Sequence, residues 1–302
     1  MNFTADTRVL IQGITEPLAA AAVPLMQAYG TRVVAGVSPG FGGQVLAGIP
    51  VLDLVEQVLT QVGEVDATLI FVHPYRVLDA ALEAIANGIR QIIIITEGMP
   101  PLDMVKLLQK AEASETLVVG PNCPGVIVPG QVLLGIHPAE VYTPGNIGLV
   151  SRSGTLTYEV AMELTQAGLG QSIAVGIGSD AIVGASFAQW LQILDEDETT
   201  EAIVLIGEIG GDSEEAAAQY IAEVIDKPVV AYVAGRAAPR GKPTGHAGAI
   251  IASQLSATRE IIAYHTHLGT AESKIAAFKE AQVPVAERPS QIPVLLQQAL
   301  QH

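Results

Sequence analysis

Short apolar runs alternate with stretches of helical periodicity along the whole chain. The apolar runs are rich in valine, isoleucine and leucine and lack polar alternation, which is typical of strands covered on both faces. In the first half we predict strands at residues 8–13, 31–37, 68–73, 91–96 and 116–120, and helices at 77–87 and 102–113. In the second half we predict strands at residues 147–150, 172–176, 202–207, 228–234 and 283–286, and helices at 156–166, 186–194, 214–224, 273–281 and 292–300. This order of elements predicts an α/β fold with parallel, doubly wound sheets.

Turn residues are dense between the two halves of the chain. Residues 120–125 read Gly-Pro-Asn-Cys-Pro-Gly, and Pro-Gly pairs follow at 129–130 and 144–145. Because proline and glycine interrupt regular structure, the domain boundary is predicted in this segment. We assign residues 1–125 to a first domain, 126–145 to a linker and 146–302 to a second domain.

The composition indicates a protein with a large buried core. Of the 302 residues, 49% are hydrophobic and only 15% are charged, which argues against a disordered chain. The net charge of −16 would repel nucleic acid and anionic membranes, so neither is expected as a partner. No apolar run is long enough to span a bilayer, and the first residues do not form a signal peptide. Together with a single cysteine, Cys123, these features predict a cytoplasmic protein.

Glycine-rich or polar segments follow most of the predicted strands. In open α/β sheets, ligands bind beyond the carboxyl ends of the strands. The segments that share this edge are residues 12–15, 38–43, 96–98, 120–125, 151–155, 207–211 and 235–248. The candidate chemistry is therefore expected along one rim of each sheet.

His246 stands among small residues, in the sequence Gly-His-Ala-Gly at 245–248. Neighbours with little or no side chain leave an imidazole unshielded, and glycine gives the backbone additional freedom. Such a histidine is presented to a group that must approach it closely. The alternative is a flexible loop in which the histidine has no special role.

Two further segments are candidates for phosphate and histidine chemistry. Ser153, Gly154 and Thr155 open a predicted helix, whose first N–H groups can bind an anion, and the adjacent Arg152 favours phosphate. The alternative is an ordinary helix cap. Glu208 follows an apolar strand and could accept a hydrogen bond from one imidazole nitrogen, leaving the other nitrogen nucleophilic. Its alternative is a solvated turn residue.

Three other motifs give weak support or none for a nucleotide or metal site. Residues 235–242 resemble a nucleotide-binding P-loop, but the spacing is one residue too long and Pro243 stands where serine or threonine is needed. The segment 12–17 holds one glycine, which gives weak support to a dinucleotide site. His265 and His267 lack nearby ligands for a metal, and no metal site is predicted in this chain.

Four segments taken together, at residues 120–125, 151–159, 207–211 and 245–250, closely resemble the α subunits of succinate–CoA ligases. The resemblance covers nearly the whole chain in the same order. It implies a Rossmann-like CoA-binding domain followed by a flavodoxin-like ligase domain. It also implies that His246 carries a phosphoryl group, that Glu208 orients it, and that the helix start at 153–155 binds the phosphate.

The resemblance extends to substrates, cofactors and partners. It implies the reversible conversion of succinyl-CoA, phosphate and a nucleoside diphosphate into succinate, CoA and the triphosphate. It further implies ATP or GTP with Mg²⁺ on a partner β subunit that has an ATP-grasp domain, in an αβ or α2β2 assembly. Tyr158 and Asn122 are the implied substrate-binding residues. The implied CoA-binding residues are Thr15, Pro39, Gly40, Gly42, Gly43, Thr96 and Glu97.

The sequence departs from the family pattern mainly in the CoA-binding half. Glu16 lies in a loop that is usually glycine-rich, and Phe41 replaces a lysine commonly used against CoA. The segment from His73 to Arg76 replaces a proline-rich part of the pocket, and about a dozen residues (253–265) are inserted. These departures leave two alternatives, a ligase for another acid such as malate and a CoA-binding regulatory module without catalysis. The presence of both Glu208 and His246 argues against the second.

Overall fold

The computed structural model describes residues 3–237 and 269–301, which form two compact units. Unit 1 contains residues up to Ala139 together with Ile182–Ala185, and unit 2 contains Glu140–Ala181 and the residues from Ser186 onwards. The division at residues 139 and 140 falls inside the segment 126–145. The domain bounds given above remain a prediction.

Unit 1 is an α/β unit built on a seven-stranded sheet. Its strands are β1 (Arg8–Gln12), β2 (Arg32–Val37), β3 (Val45–Leu46), β4 (Ile49–Leu52), β5 (Ala67–Ile70), β6 (Gln91–Ile94) and β7 (Leu117–Val119). Its helices are α1 (Pro17–Tyr29), α2 (Val55–Val62), α3 (Val77–Ala86) and α4 (Pro101–Ala113). The strand order is β3-β4-β2-β1-β5-β6-β7, with every pair parallel except β3 with β4. Six of the strands follow the Rossmann order, in which the direction of winding reverses between β1 and β5.

The central strands of unit 1 are covered on both faces, as their apolar sequence predicts. Every residue of β5 is buried, and so are the isoleucines of β6. Helix α1 begins at Pro17, where a proline needs no amide hydrogen, and ends at Gly30 in the left-handed region with φ 103°. The predicted strands and helices of this half are confirmed, while α1, α2, β3 and β4 were not predicted.

An antiparallel hairpin, β8 (Gly125–Val128) and β9 (Val132–Gly135), lies in the segment where a linker was predicted. Both strands are buried throughout. Thr31 joins the hairpin to the rest of unit 1, because its hydroxyl donates to the carbonyl of Leu133 at 2.7 Å and accepts the Leu133 N–H at 3.0 Å. The hairpin is therefore part of a packed unit.

Unit 2 has five parallel strands of its own. They are β10 (Pro144–Ser151), β11 (Gln171–Gly176), β12 (Ala202–Gly207), β13 (Val229–Val233) and β14 (Val285–Ala286). The helices are α5 (Gly154–Gln166), α6 (Phe187–Glu196), α7 (Ser213–Val224), α8 (Ala271–Glu280) and α9 (Ile292–Ala299). The order β11-β10-β12-β13-β14 is the flavodoxin-like order, with the reversal between β10 and β12. The predicted fold class, two doubly wound α/β units, is confirmed.

None of the helices in the described part of the chain combines the length and apolar character needed to cross a membrane.

Candidate active site

The reversal of winding in unit 2 brings two of the predicted segments together. Ser151 ends β10 and pairs in register with Ile206 of the neighbouring strand β12. The segment that opens α5 and the segment that carries Glu208 therefore leave the sheet side by side at its carboxyl edge. This is the position at which doubly wound sheets form a ligand-binding crevice.

The start of α5 has the form of an anion site. Ser153 is the N-cap residue, yet its side chain makes no capping hydrogen bond within the described chain, so the ordinary cap interpretation is not supported. Ser151 instead organises the turn, since its hydroxyl donates to the Ser153 carbonyl at 2.9 Å and accepts the Ser153 N–H at 3.1 Å. Gly154 is half-buried, Thr155 is exposed, and a Cβ added to Gly154 would meet no atom of the described residues within 4 Å. The first turn of α5 is thus open to a ligand.

Arg152 lies behind this turn and not in the solvent. Only 7% of the residue is exposed, and its Nη1 donates to the Gly210 carbonyl at 3.0 Å and to Glu214 Oε1 at 3.2 Å. Its Nη2 lies 3.9 Å from Glu208 Oε1. Arg152 therefore connects the α5 segment with the Glu208 segment through buried contacts.

Glu208 directly follows β12 and is nearly buried, with 9% of the residue exposed. It is therefore not the solvated turn residue of the alternative interpretation. Its N–H donates to Glu214 Oε1 at 3.0 Å. A Cβ on Gly207 would lie 2.5 Å from the Glu214 Cγ, so glycine is required here for the close approach of Glu214. The role of Glu208 beside an imidazole remains a prediction.

Lys274 on α8 completes a buried charged cluster that the sequence analysis missed. It is fully buried, and its Nζ forms an ion pair with Glu214 and a second with Glu215 Oε2 at 2.9 Å. Burial would raise the pKa of Glu215, but hydrogen bonds from Lys274 and Ser273 and the charge of Lys274 lower it overall. A carboxylate in the first turn of a helix is common, so the sequence at 213–215 indicated only an ordinary helix start.

The two predicted substrate-binding residues lie in different units. Tyr158 is half-buried on α5 in unit 2. Its neighbour Tyr142 is buried, and desolvation followed by the charge of Tyr158 raises the pKa of Tyr142 well above its ordinary value. Asn122 follows β7 in unit 1, with a left-handed φ of 56°, and its N–H donates to the Thr96 carbonyl at 2.9 Å.

His246 and the insert at residues 253–265 lie outside the described residues, as do His265 and His267. Within residues 3–237 and 269–301, no group of three or more histidine, cysteine, aspartate or glutamate side chains could hold a metal ion.

The residues predicted to bind CoA lie in unit 1, in segments that follow β1, β2 and β6. The Thr15 hydroxyl lies 2.6 Å from that of Ser38, which joins the segments after β1 and β2. Thr96 donates its hydroxyl to the Val72 carbonyl at 2.8 Å, and Glu97 is exposed. The structure thus brings Thr15 close to the glycine loop at residues 39–43. It places all of these residues at the carboxyl edge of the sheet.

The glycine loop, which begins at Pro39, is held by a carboxylate that the sequence analysis did not single out. The N–H groups of Gly40 and Gly42 both donate to Oδ1 of Asp53, at 2.7 and 3.0 Å. A Cβ on Gly42 would lie 2.4 Å from Asp53 Oδ2, and Gly43 has a left-handed φ of 87°. Two amides that could bind an anionic ligand are therefore occupied by Asp53.

A cavity of about 330 Å³ lies beside the loop and is lined by Thr15, Phe41 and mainly apolar neighbours. Phe41 is 43% exposed, so an apolar surface stands where the family pattern has a cation. The segment after β5 forms a single turn, Pro74–Arg76, in which Tyr75 and Arg76 are exposed. Glu16 is half-buried directly before α1.

Comparison with known proteins finds one family model that matches each unit. The CoA binding domain model matches residues 4–98, and the CoA-ligase model matches residues 150–260. The chain is 45% identical over 294 residues to the ADP-forming succinate–CoA ligase subunit alpha 2 of Archaeoglobus fulgidus, covering 97% of each chain. It is 47% identical over 287 residues to the corresponding subunit of Methanothermobacter thermautotrophicus, covering 95% of this chain and 92% of the relative.

A solved structure of ATP citrate lyase from Methanothrix soehngenii, in complex with citrate and coenzyme A, has a similar fold. The TM-score is 0.85 at 22% identity, and the match covers 100% of this chain and 50% of that longer chain.

A unit matched by a CoA-binding model, followed by one matched by a CoA-ligase model, defines the chain as a CoA ligase subunit. It belongs to the family of succinate–CoA ligase α subunits.

Proposed function

We propose that the chain is the α subunit of an ADP-forming succinate–CoA ligase, which converts ATP, succinate and CoA reversibly into ADP, phosphate and succinyl-CoA. The observation that carries this proposal is 45% identity to a subunit of that name over 97% of both chains. The arrangement of the α5 segment and Glu208 at the unit 2 crevice supports it. The names of the relatives favour ADP over GDP as the nucleotide product.

His246 is the proposed carrier of the phosphoryl group. One of its ring nitrogens attacks the γ-phosphorus of ATP and ADP leaves, after which a succinate oxygen takes the phosphoryl group from the nitrogen. The CoA thiol then displaces phosphate from succinyl phosphate to form the thioester. Covalent catalysis divides one difficult transfer into easier ones. A carboxylate at Glu208 would accept the N–H of the other ring nitrogen and keep the attacking nitrogen unprotonated.

The start of α5 is proposed to hold the phosphoryl group. Phosphoryl transfer depends mainly on positioning and on stabilisation of developing charge. The N–H groups at the start of a 13-residue helix supply both. The uncapped Ser153 and the open space at Gly154 support this role for Ser153, Gly154 and Thr155. Tyr158 and Asn122 are proposed to bind the acid substrate.

CoA is proposed to bind in unit 1 at the edge that carries Thr15, the loop 39–43, Thr96 and Glu97. The match of a CoA binding domain model to residues 4–98 supports this location. An α subunit implies a partner, which we propose to be a β subunit with an ATP-grasp domain that binds ATP and Mg²⁺. The proposed assembly is αβ or α2β2, and a cytoplasmic location is proposed.

Labelling of the complex tests the proposal. The chain is co-produced with its β subunit and incubated with Mg²⁺ and ATP labelled on the γ-phosphate. The expected result is an acid-labile, base-stable label on the α chain that succinate with CoA removes. His246→Asn should take no label, whereas the control His267→Asn should be labelled like the unmodified chain.

A folded, nucleotide-binding complex that takes no label would contradict the proposed mechanism. Label that is removed by malate with CoA, but not by succinate with CoA, would show that the enzyme acts on another acid. Label on a residue other than His246 would overturn the assignment of the carrier and leave the ligase activity standing.

A further inference from the structure

A fully buried carboxylate, Glu214, lies directly beneath the proposed catalytic crevice. It stands in the first turn of α7 with no exposed surface. It accepts hydrogen bonds from the Arg152 guanidinium, the Lys274 ammonium, the Ser213 hydroxyl and the Glu208 N–H. A buried charge is tolerated only when it is paired and hydrogen-bonded, and Glu214 meets both conditions.

Glu214 joins the segment that carries Glu208 to the segment that precedes α5. The segment 207–211 contains three glycines, and Gly210 and Gly211 have left-handed φ values of 101° and 63°. Glu214 Oε1 receives the Glu208 N–H at 3.0 Å and the Arg152 Nη1 at 3.2 Å. Arg152 in turn donates to the Gly210 carbonyl. One carboxylate oxygen therefore fixes the backbone of Glu208 and the residue before the α5 cap.

Glu208 stands at the edge of this charged cluster. Arg152 and Lys274 are balanced by Glu214 and Glu215, which both form ion pairs with Lys274 or Arg152. The Glu208 carboxylate lies 3.9 Å from Arg152 Nη2, so it belongs to the same network of charges. The cluster therefore determines the position of both the backbone and the carboxylate of Glu208.

We propose that Glu214, held by Lys274, is a positioning residue for Glu208 and for the start of α5 in phosphoryl transfer. Neither Glu214 nor Lys274 contacts the reacting atoms in this proposal. Misplacing a catalytic group by about 1 Å can lower a rate about 100-fold. The inference rests on the proposed function, because it assigns a role within the same site.

The proposal differs from a purely structural role in one measurable respect. Removing charges from a buried cluster destabilises the fold. If Glu214 only stabilises unit 2, then the labelling rate should fall in proportion to the folded fraction. If Glu214 positions Glu208, then the rate of phosphoryl transfer should fall further than the folded fraction does.

The experiment compares three variants in the complete complex with the β subunit. Glu214→Gln is measured alone and together with Lys274→Met, and Glu223→Gln is the control because Glu223 is an exposed carboxylate on the same helix. The readouts are the midpoint of thermal unfolding, the KM for ATP and the single-turnover rate of labelling. We expect both Glu214→Gln variants to unfold at a lower temperature than the unmodified complex, because Arg152 and Glu215 lose partners, and to bind ATP with an unchanged KM. The labelling rate of the folded double variant should be lower on the order of 10-fold to 100-fold, whereas Glu223→Gln should match the unmodified complex throughout.

A double variant that recovers both stability and the full labelling rate would overturn the positioning role. So would a labelling rate that falls only in proportion to the folded fraction in either variant. If the unmodified complex takes no label, then the proposed function itself fails. That result is distinguishable, because it precedes any effect of the substitutions.

Discussion

Both units are doubly wound, but they differ in what lies behind the crevice. Each is a doubly wound sheet whose winding reverses beside its first strand, between β1 and β5 in unit 1 and between β10 and β12 in unit 2. In unit 2, Arg152, Glu214 and Lys274 are buried and paired beneath the loops. In unit 1, the loop at residues 39–43 is held by one half-buried carboxylate, Asp53, and lies beside an apolar cavity.

This difference shows that topology supplies a crevice while buried side chains decide how rigidly it is held. Ion pairs with no exposed surface are costly to rearrange, so the unit 2 loops are preorganised for charge stabilisation. The carboxyl edge of the unit 1 sheet carries Phe41, Glu16 and Glu97, which offer little attraction for phosphate groups.

The largest effect is expected for Lys274→Met. Two carboxylates, Glu214 and Glu215, would lose their shared cation inside unit 2. Breaking a buried ion pair costs about 3–5 kcal/mol, and the free energy of unfolding of the isolated chain should fall by that amount. Denaturant titration measures it. The control is Lys279→Met on the same helix, where the lysine is exposed and a change below about 0.5 kcal/mol is expected.

A comparable loss of stability is expected at low pH, when His137 in unit 1 takes up a proton. Burial lowers the pKa of His137 to about 4, and its hydrogen bond to the Gly125 carbonyl opposes this shift. The unfolded chain binds the proton near pH 6.5, so stability is complete above that pH and is lost as the pH falls toward 4. The loss should reach about 3 kcal/mol for this residue.

Measuring the free energy of unfolding between pH 7 and pH 4 tests this, with His137→Gln as the variant that cannot titrate. Its stability should depend less on pH than that of the unmodified chain. The exposed His73→Gln is the matched control and should leave the pH dependence unchanged. Equal pH dependence in His137→Gln and the unmodified chain would contradict the prediction.

A smaller loss of stability is expected for Gly36→Ala in β2. A Cβ at this position would lie 2.5 Å from the Ile14 Cδ1 and 2.8 Å from the Ile14 Cβ. Ile14 is buried, with 2% of the residue exposed. Overpacking of this kind costs about 1–3 kcal/mol. Gly154→Ala provides the contrast, because its Cβ would meet no atom within 4 Å in residues 3–237 and 269–301. A stability loss in Gly154→Ala equal to that in Gly36→Ala would show that packing is not the cause.

The sequence predicts the strands well because their chemistry is local. Residues 202–207 and 92–94 are continuous apolar runs, and both are fully buried in the sheets. The hairpin Gly125–Gly135 was not predicted because its prolines and glycines have the composition of a linker, although tertiary contacts such as Thr31 with Leu133 order it. Helix α1 was missed because it is alanine-rich and contains an internal proline, Pro24.

The residues of the candidate site that follow strands were predictable from the sequence, and the buried residues that support them were not. Ser153, Gly154 and Glu208 follow apolar strands, where the sequence alone indicates a ligand edge. The pairing of Lys274 with Glu214 spans 60 residues of sequence, and no local pattern records it. Asp53 was missed for a similar reason, since its bonds to Gly40 and Gly42 depend on the fold of the loop.

At the CoA edge, Phe41→Lys should tighten the binding of CoA. The residue lines the cavity and is 43% exposed, so a lysine there would reach solvent and any phosphate at the loop. An exposed ion pair contributes about 1 kcal/mol or less, which lowers the dissociation constant by about fivefold at most. Isothermal titration with CoA measures it, and Phe41→Met is the uncharged control. An unchanged dissociation constant would indicate that Arg76 or another group already binds the phosphates.

The smallest effect is expected for Asp53→Asn, which removes a charge and keeps an oxygen that can accept from the Gly40 and Gly42 N–H groups. If anionic CoA binds at this loop, relief of repulsion should tighten it by about twofold, because the charge is partly screened by solvent. The effect should shrink at high salt. Asp66→Asn is the matched control, since Asp66 is an exposed carboxylate before β5, at the opposite edge of the same sheet. Equal changes in both variants would mean that CoA responds to the net charge of the chain and not to the loop that Asp53 holds.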